Sequence, residues 1–516
     1  MEVADSKPQP LLATRTVENT KWLPRCHLRG TPAVRKCLRI FGSRQLAYPD
    51  DTHTPQSLRG GWTSSTAAHQ LYMSDMPPSG ISDRRLSPEF SFPSLQTRPA
   101  LRDIMVRMDE AIRTRCCIAG GGPAGMMLAL LLARIGVDVV VLEKHADFLR
   151  DFRGDTVHPS TLELMHELHI LEAFLKLPHQ EVRELSGQVE NETVAIGDFT
   201  HLPTHCKFVA LMPQWDFLDF IKEQASRYPG FHLMMQAEVI DLIEENGCIA
   251  GVRAKTQSSP VEVRAPLTIG ADGRHSIVRE RAGLKVIDLG APMDVLWMRM
   301  SRRPTDRGQT FGHIVAGKML VLLNREDYWQ CAFVIPKGKG EDVRQKGLES
   351  FREQIVSLEP FLRDRVTELR DWKQVSLLTV VVDRLEQWSR PGLLCIGDAA
   401  HAMSPIGGVG INLAIQDAVA TANLLGDKLL RQDSFGSELQ VVQRRRDFPT
   451  RATQRVQLMV QNKVIKHVLG SSKPLRIGWP LKLLRDFPIL RRIPARVVGV
   501  GFRPEHVRTP DVHALQ

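Results

Sequence analysis

The sequence predicts an α/β protein with a Rossmann-like βαβ unit, an inserted β-sheet region and a helical C-terminal region. Two observations predict this fold class. From Arg115, a short apolar strand, a glycine-rich turn, a helix and a second strand follow one another within about 30 residues. Two more glycine-rich loops follow short apolar stretches, at Gly270 and at Gly397. A chain of 516 residues is long enough for two or three domains.

The composition is that of a globular protein, with 43% hydrophobic and 24% charged residues. The longest apolar stretch, 126–142, is interrupted by Arg134, Gly136 and Asp138, whereas a membrane-spanning helix needs about 20 nearly continuous apolar residues. We therefore expect a soluble, cytoplasmic protein. The net charge is +10, of which residues 1–107 carry +6. Because no nucleic-acid reader motif accompanies this charge, we expect no nucleic-acid partner.

The eight cysteines include no C-x-x-C pair, so we expect neither a disulfide framework nor a bound metal. Cys116, Cys117 and Cys395 lie inside apolar, strand-like stretches, where a free cysteine behaves as a small hydrophobic residue. This usage is typical of a reducing compartment.

Residues 1–112 differ from the rest of the chain. They hold 11 of the 32 prolines and lack sustained helical or strand periodicity, which predicts a disordered extension. The richness in Arg and Ser leaves a transit peptide open, although Glu2 and Asp5 count against one. Our hypothesis is that the functional protein begins near Met108 and that the extension is dispensable.

The elements of the first unit are predicted as a strand over 115–119, a helix over 123–135 and a strand over 137–142. Ser160 and Glu163 form a candidate capping box for a helix reaching Leu168. The other predictions are strands within 183–205, 231–270, 291–384 and 393–396, helices over 215–227, 343–358 and 411–430, and a hairpin turn at Asn246 and Gly247.

The first glycine-rich motif is Gly120-x-Gly122-x-x-Gly125. Glycines at this spacing let a pyrophosphate approach backbone N–H groups at a helix N-terminus, where the helix dipole favours negative charge. Glu143 follows at the end of the second strand, where a carboxylate can accept hydrogen bonds from both ribose hydroxyls and repels a 2′-phosphate. The alternative is a structural turn.

The second motif runs from Gly270 through Asp272, Gly273 and Ser276, with Arg279 three residues further on. It follows an apolar stretch, but an isolated Asp-Gly pair is usually just a turn. By itself this motif therefore favours a structural role.

The third motif holds Asp398 and His401 and leads through a glycine-rich loop into the helix over 411–430. The helix N-terminus stabilises a ligand group that becomes anionic, and Asp398 could bind a polyol. His401 is expected to be structural, and a capped helix start is the alternative for the whole motif. We expect His158 and His166 at surface or cap positions. The remaining loop residues are Pro405, Gly407, Gly408, Gly410 and Asn412.

In this order and at these separations, the three motifs resemble those of the FAD-dependent group A monooxygenases, the family of para-hydroxybenzoate hydroxylase. The resemblance covers roughly residues 113–430. It implies an FAD-binding Rossmann-like domain with an inserted β-sheet substrate domain, and it identifies no catalytic residue. The cofactor-binding residues that it implies are Gly120, Gly122, Gly125, Glu143, Lys144, Arg153, Gln214, Asp272, Asp398, Pro405, Gly410, Ile411 and Asn412.

The resemblance also implies a reaction. NADPH or NADH, bound transiently, reduces FAD, O2 adds to give a flavin hydroperoxide, and oxygen passes to an apolar, aromatic small molecule. The alternatives are another flavin enzyme on the same fold, such as a halogenase or a reductase, or a non-enzymatic carrier. Flavin halogenases carry W-x-W-x-I-P, from which the stretch 329–336 departs.

The resemblance sets the domain boundaries as well. The FAD-binding domain is expected over 113–182, 206–290 and 385–432, the substrate domain over 183–205 and 291–384, and a helical region over 433–516. Apolar residues of the second substrate stretch could form a specificity wall, although core packing explains them equally well. These residues are Trp297, Met298, Met300, Leu320, Leu322, Trp329 and Phe333.

Residues 473–503 interleave basic and apolar residues, with Asp486 as the single acidic residue between 473 and 500. One hypothesis is that this segment touches a membrane surface. We favour the alternative, a C-terminal element packed on the FAD-binding domain with its apolar residues buried, because prolines recur too often for one long helix.

Overall fold

The computed structural model describes residues 111–149, 156–306, 308, 310–432 and 435–512. The predicted extension over 1–112 lies almost entirely outside these residues. The strands are β1 (Ile112–Arg113), β2 (Cys116–Ala119), β3 (Val139–Glu143), β4 (Thr156–Val157), β5 (Gln180–Val182), β6 (Glu184–Val189), β7 (Glu192–Asp198), β8 (Val209–Leu211), β9 (Phe231–Met235), β10 (Glu238–Glu245), β11 (Cys248–Lys255), β12 (Pro260–Arg264), β13 (Leu267–Gly270), β14 (Val286–Asp288), β15 (Met293–Ser301), β16 (Phe311–Val315), β17 (Lys318–Asn324), β18 (Tyr328–Pro336), β19 (Ser376–Leu378), β20 (Asp383–Leu385), β21 (Ser389–Arg390) and β22 (Leu393–Cys395).

Twelve α-helices are found in the described part of the chain, together with short 3₁₀ turns and one π-helical turn over Gln461–Ile465. The helices are α1 (Pro123–Arg134), α2 (Pro159–Glu167), α3 (Leu171–Phe174), α4 (Gln214–Ala225), α5 (Ile277–Arg281), α6 (Gly340–Gln345), α7 (Leu348–Leu358), α8 (Val409–Arg431), α9 (Glu438–Val460), α10 (Lys466–Gly470), α11 (Trp479–Asp486) and α12 (Arg492–Gly499).

A six-stranded sheet with the order β21-β22-β13-β2-β3-β9 lies at the centre of the largest apolar core. All neighbours in it are parallel except β21 and β22. Strands β2, β13 and β22 are buried at every position, as expected for parallel strands that are covered on both faces. The predicted mixed α/β architecture is therefore confirmed.

The predicted hairpin at Asn246 and Gly247 is confirmed. Strands β10 and β11 are antiparallel, and Glu245 pairs with Cys248 across a two-residue loop. Asn246 has φ 52° and Gly247 has φ 77°, the left-handed pair that a type I′ turn requires.

Two sequence predictions are wrong in detail. The Ser160–Glu163 capping box is not formed: α2 begins at Pro159 with His158 as its N-cap, and the Glu163 carboxylate instead accepts hydrogen bonds from His205. Ser160 lies two residues after the N-cap, inside the first turn, so its side chain is not at the capping position.

The helix predicted over 343–358 is two helices. Helix α6 ends at Gln345 and α7 begins at Leu348. Gly347 between them has φ 89°, a left-handed conformation that ends the first helix and redirects the chain.

A seven-stranded sheet with the order β19-β15-β18-β17-β16-β6-β7 buries its two faces in different clusters. One face packs on α7, and the other meets residues of the C-terminal helices and Ile406. Of the seven residues that could form a specificity wall, six face α7, because successive side chains of a strand alternate between faces, and this supports the alternative of core packing for those six. Those six are Met298, Met300, Leu320, Leu322, Trp329 and Phe333.

Trp297, the seventh residue of the proposed wall, faces the other way, in the cluster that reaches Ile406. That face also presents Met319 and Val321, which the sequence analysis did not select. Both faces of β15 are apolar, so the sequence pattern alone could not distinguish them.

The C-terminal segment does not match the favoured alternative. Helices α11 and α12 pack on β7, at the edge of the seven-stranded sheet, and several of their large apolar side chains are exposed. Among the described residues, none of the helices is both long and apolar enough to cross a membrane.

Candidate functional site

The three glycine-rich loops meet at one edge of the six-stranded sheet. Ala119, Gly270 and Cys395 are in register at the ends of the adjacent parallel strands β2, β13 and β22, and a loop follows each. Backbone hydrogen bonds join the loops directly: Ala271 donates to the Ala119 carbonyl at 2.8 Å, and Ile396 donates to the Gly270 carbonyl at 2.9 Å. The carboxyl edge of a parallel sheet is where α/β proteins bind their ligands.

The three glycines of the first loop have different neighbours. Gly120 has φ 108°, and a Cβ there would lie 2.4 Å from the Ala271 carbonyl oxygen. A Cβ at Gly125 would lie 2.0 Å from the Gly120 carbonyl oxygen. At Gly122, the N-cap of α1, no described atom lies within 4 Å of the Cβ position. Two glycines therefore serve chain packing, while Gly122 leaves an open space at the helix N-terminus that fits an anionic group.

Glu143 lies directly beneath this loop at the end of β3. Its carboxylate accepts hydrogen bonds from the Gly121 backbone N–H at 2.9 Å and from the His145 backbone N–H at 3.1 Å, and it also contacts the His145 ring. Burial acts to raise the pKa of Glu143, but these hydrogen bonds outweigh it and lower the pKa. The carboxylate is thus held ionised beside the open space at Gly122.

The second motif folds inward. The Asp272 carboxylate accepts hydrogen bonds from the Ser276 hydroxyl at 2.6 Å and from the Val278 backbone N–H at 3.1 Å, and burial raises its pKa. Ser276 caps α5 by accepting from the Arg279 backbone N–H. Both Asp272 oxygens thus contact the protein, so its side chain supports the turn beside the site.

Asp398 of the third motif remains partly exposed at the mouth of the site. Its carboxylate lies 3.5 Å from the Arg274 guanidinium, which belongs to the second motif. Gly397 before it has φ 59°, and a Cβ there would lie 3.1 Å from the Cβ of Ala124 in α1. The third loop thus packs against the first helix and turns the Asp398 carboxylate outward, where a ligand hydroxyl can reach it.

The loop 405–408 leads from Pro405 into α8. Gly407 and Gly408 have φ 76° and 62°, so two successive left-handed residues bring the chain to the helix N-terminus. The Gly408 carbonyl accepts a hydrogen bond from the Thr156 hydroxyl at 2.8 Å. Gly410 and Ile411 form the first turn of α8 and are partly exposed. Their backbone N–H groups are at the end of the helix dipole that favours negative charge.

The Asn412 side chain serves the protein. Its amide oxygen accepts from the His158 backbone N–H and from the Thr161 hydroxyl, each at 2.8 Å, and its NH2 group donates to the Thr156 carbonyl. This amide joins α8 to the start of α2, so Asn412 can meet a cofactor through its backbone alone. His158 is the N-cap of α2, one of the two positions expected for it, and it is buried there.

Charged groups buried behind the third motif were missed by the sequence analysis. Asp417 in α8 accepts hydrogen bonds from His401 Nε2 at 2.6 Å, from the Gly397 backbone N–H at 3.1 Å and from Arg446 Nε at 2.9 Å. Burial acts to raise the pKa of Asp417, but His401 and Arg446 outweigh it and lower the pKa. The sequence feature that could have revealed these groups is the position of Asp417 within the apolar stripe of helix α8.

A row of buried glutamines on α9 and the following π-helical turn holds the stretch 402–406. Gln454 donates to the Ala402 carbonyl, and Gln461 donates to the Ser404 hydroxyl. Gln457 accepts from the Ser404 backbone N–H at 3.2 Å and donates to the Ser404 and Ile406 carbonyls. The sequence analysis missed this row, although the spacing of three and four residues puts all three side chains on one helix face.

Three further residues were predicted to bind the cofactor: Lys144, Arg153 and Gln214. Lys144 is exposed just after β3, and Gln214 is half-buried at the first position of α4. Arg153 lies outside the described residues. The open N-terminus of α1 and the ionised carboxylate beneath it are features that suit a dinucleotide cofactor.

Residues 113–456 match the family described as the FAD binding domain. A 6-methylpretetramide 4-monooxygenase from Streptomyces rimosus is 34% identical over 353 residues, which cover 68% of this chain and 84% of that protein. The chain therefore belongs to the FAD-dependent group A monooxygenases, as its motifs predicted, and it is an FAD-dependent enzyme. For several other curated relatives the match covers 58% of this chain and 59% to 63% of the relative's own length.

Solved structures share the fold. The anhydrotetracycline hydroxylase OxyS from Streptomyces rimosus superposes with a TM-score of 0.60 at 22% identity, covering 75% of this chain and 76% of that one. The myxobacterial chondrochloren halogenase CndH superposes with a TM-score of 0.59 at 18% identity, covering 74% of this chain and 90% of that one. At these identities the likeness concerns the fold, which carries more than one reaction.

Proposed function

We propose that this enzyme uses NADH or NADPH and O2 to hydroxylate a polycyclic aromatic molecule. The observation that carries the proposal is the apolar sheet face next to Ile406, in the loop that precedes α8. When bound at this edge, FAD would supply the redox chemistry: it can be reduced by a nicotinamide, and in its reduced form it can activate O2. The name of the 34% identical relative points to the same substrate class.

The residues present fit FAD. The open N-terminus of α1 at Gly122 suits the pyrophosphate, the ionised Glu143 carboxylate suits the ribose hydroxyls, and the outward-facing Asp398 suits the ribityl chain. The N-terminus of α8 would stabilise the negative charge that a reduced flavin ring carries. We propose that Lys144, Arg153, Gln214, Pro405, Gly410 and Ile411 complete the site.

The substrate wall that we propose is the face of the seven-stranded sheet that presents Trp297, Met319 and Val321. These side chains are partly buried and belong to the cluster that includes Ile406. Apolar side chains beside the loop 405–408 suit an aromatic ring, because they exclude water and bind it without polar partners. The chain's part in the reaction is to orient this ring at the carboxyl edge of the six-stranded sheet.

A halogenase is the second candidate, because the fold is shared with CndH. The stretch 329–336 departs from the halogenase pattern, and Trp329 is fully buried on the sheet face that packs on α7. Trp329 therefore faces away from the proposed substrate wall. This placement favours the hydroxylase over the halogenase.

The test is a screen of polycyclic phenols with the purified, FAD-loaded enzyme. We expect a yellow protein whose NADPH or NADH oxidation is stimulated by a substrate without halide, and a product that carries one oxygen atom from labelled O2. Oxidation that requires halide, or a chlorinated product, would establish the halogenase instead. A protein that binds FAD but oxidises neither nicotinamide would favour the non-enzymatic carrier.

A further inference from the structure

We propose that the segment 479–493 docks on the surface of an anionic lipid bilayer. Four of its large apolar side chains are far more exposed than is usual: Trp479 at 76%, Phe487 at 56%, Ile489 at 64% and Ile493 at 61%. Leu483 is exposed as well. Contiguous exposed apolar residues of this size mark an interaction surface.

The exposed residues are on the outer side of a segment whose inner side is already packed. The Cβ of Ala495 in α12 lies 3.7 Å from the Cβ position of Gly197 in β7, and Gly499 lies against Phe199 and Leu202. Trp479 and Leu483 are four residues apart in α11, which puts both on one face. Helix α12 thus packs one face on the protein, while α11 and the residues that join it to α12 present large apolar side chains to the outside.

The charge around this outer face selects anionic lipid as the occupant. Between residues 473 and 500 the chain carries seven basic residues and a single acidic one, Asp486, and Glu192 of β7 adds a second carboxylate at Arg485, so the basic residues remain in clear excess. Basic residues next to an anionic bilayer each add binding free energy, and Trp prefers the interface between water and lipid. A second copy of this chain would bring the same basic surface against itself, so repulsion disfavours self-association here.

Helix α12, whose first two residues belong to the docking segment, contacts the candidate flavin loop. The Val498 carbonyl accepts a hydrogen bond from His158 Nδ1 at 2.7 Å, and a Val498 methyl group lies 3.8 Å from the Cβ position of Gly407. A bilayer on this face would therefore lie next to the element that supports the loop 405–408. Lipid binding itself does not depend on the proposed reaction, so either can fail without the other.

The test is co-sedimentation of the full-length, FAD-loaded protein with vesicles. The wild type should sediment with phosphatidylcholine vesicles that contain phosphatidylserine, stay in solution with phosphatidylcholine alone, and be released by high salt. The variant Trp479→Ser/Phe487→Ser/Ile489→Ser should bind the anionic vesicles at least about tenfold more weakly, because three apolar side chains no longer enter the lipid. Unchanged flavin content shows that this variant is folded.

The matched control is Ile240→Ser/Leu377→Ser/Leu424→Ser, which removes exposed apolar side chains outside the segment. It should keep wild-type vesicle binding. Wild-type protein that remains in the supernatant with anionic vesicles at low salt overturns the proposal. The proposal also fails if the control variant loses as much vesicle binding as the Trp479→Ser/Phe487→Ser/Ile489→Ser variant. A wild-type dimer that the first serine variant converts to a monomer would also overturn it, because a second copy would then be the occupant.

Discussion

Gly122 and Gly125 lie three residues apart in the first glycine-rich motif, yet alanine at these two positions should affect different properties of the protein. Gly125→Ala should lower the free energy of unfolding of the FAD-free protein by about 1–3 kcal/mol, because its Cβ would meet the Gly120 carbonyl. Gly122→Ala should leave that stability almost unchanged, since its Cβ enters open space, and should weaken FAD binding at least about tenfold. Thermal unfolding without FAD and flavin titration would measure the two effects. Equal FAD affinity in Gly122→Ala and wild type would contradict the placement of the pyrophosphate.

Asp398 is a single carboxylate at the mouth of the site, and its removal should cost cofactor affinity. Asp398→Ala should weaken FAD binding by about 10- to 150-fold, because one charged hydrogen bond is worth about 1.5–3 kcal/mol. The loss also leaves Arg274 without this neighbour. Flavin retained on dilution is the measurement, with the exposed Asp427→Asn in α8 as a control. Retention equal to wild type would refute the ribityl assignment.

At the scale of elements, α9 holds the loop 402–406 through buried glutamines. Gln457→Met should lower the free energy of unfolding by at least about 2 kcal/mol and speed FAD release, because backbone groups of Ser404 and Ile406 lose buried partners. Gln440→Met, on an exposed position of the same helix, should do neither. Stopped-flow release of FAD and chemical unfolding measure both variants. A destabilised variant with unchanged FAD release would restrict Gln457 to a structural role.

Strand β15 presents two apolar faces, and the proposed substrate wall is one of them. Trp297→Ala should raise KM for an aromatic substrate with a smaller effect on stability, because Trp297 faces the cluster at Ile406. Met298→Ala on the opposite face should cost about 2–5 kcal/mol of stability, since its side chain is fully buried against α7. Steady-state kinetics and unfolding of both variants test this division. If Met298→Ala changes KM and Trp297→Ala does not, the wall is on the other face.

At the scale of the whole molecule, His158 joins the start of α2 to the C-terminal segment through the Val498 carbonyl. Burial lowers its pKa to about 4, whereas an unfolded chain has a histidine pKa of about 6.5. Between these values the unfolded chain binds the proton and the folded chain does not, so stability falls as the pH falls. The loss should reach about 3 kcal/mol over this window.

His158→Gln should remove that part of the pH dependence, because its amide can donate to Val498 but does not titrate. Unfolding free energies between pH 7 and about pH 4 measure it. His232→Gln, at an exposed position, should keep the wild-type profile. A His158→Gln profile that parallels the wild type would show that His158 is not buried as a neutral group.

The sequence by itself determined the parallel sheet with its three loops, the family and the hairpin at Asn246. These features are encoded locally. A glycine that needs a positive φ, a strand of apolar residues and a two-residue turn each depend on a few neighbouring residues, so short motifs predict them. The order of the three motifs then selected one family, because each loop follows a strand of the same sheet.

Only the tertiary structure decided which side chains face the site. Asp272 turns inward to Ser276, the amide of Asn412 is used by α2, and Asp417 pairs with Arg446 from another helix. Which face of β15 packs on α7, and where α12 docks, are also decided by segments that are distant in the sequence. The physical reason is common to all of these: a side chain's surroundings are set by packing between segments far apart in the chain, whereas periodicity and turn residues report on the neighbours alone.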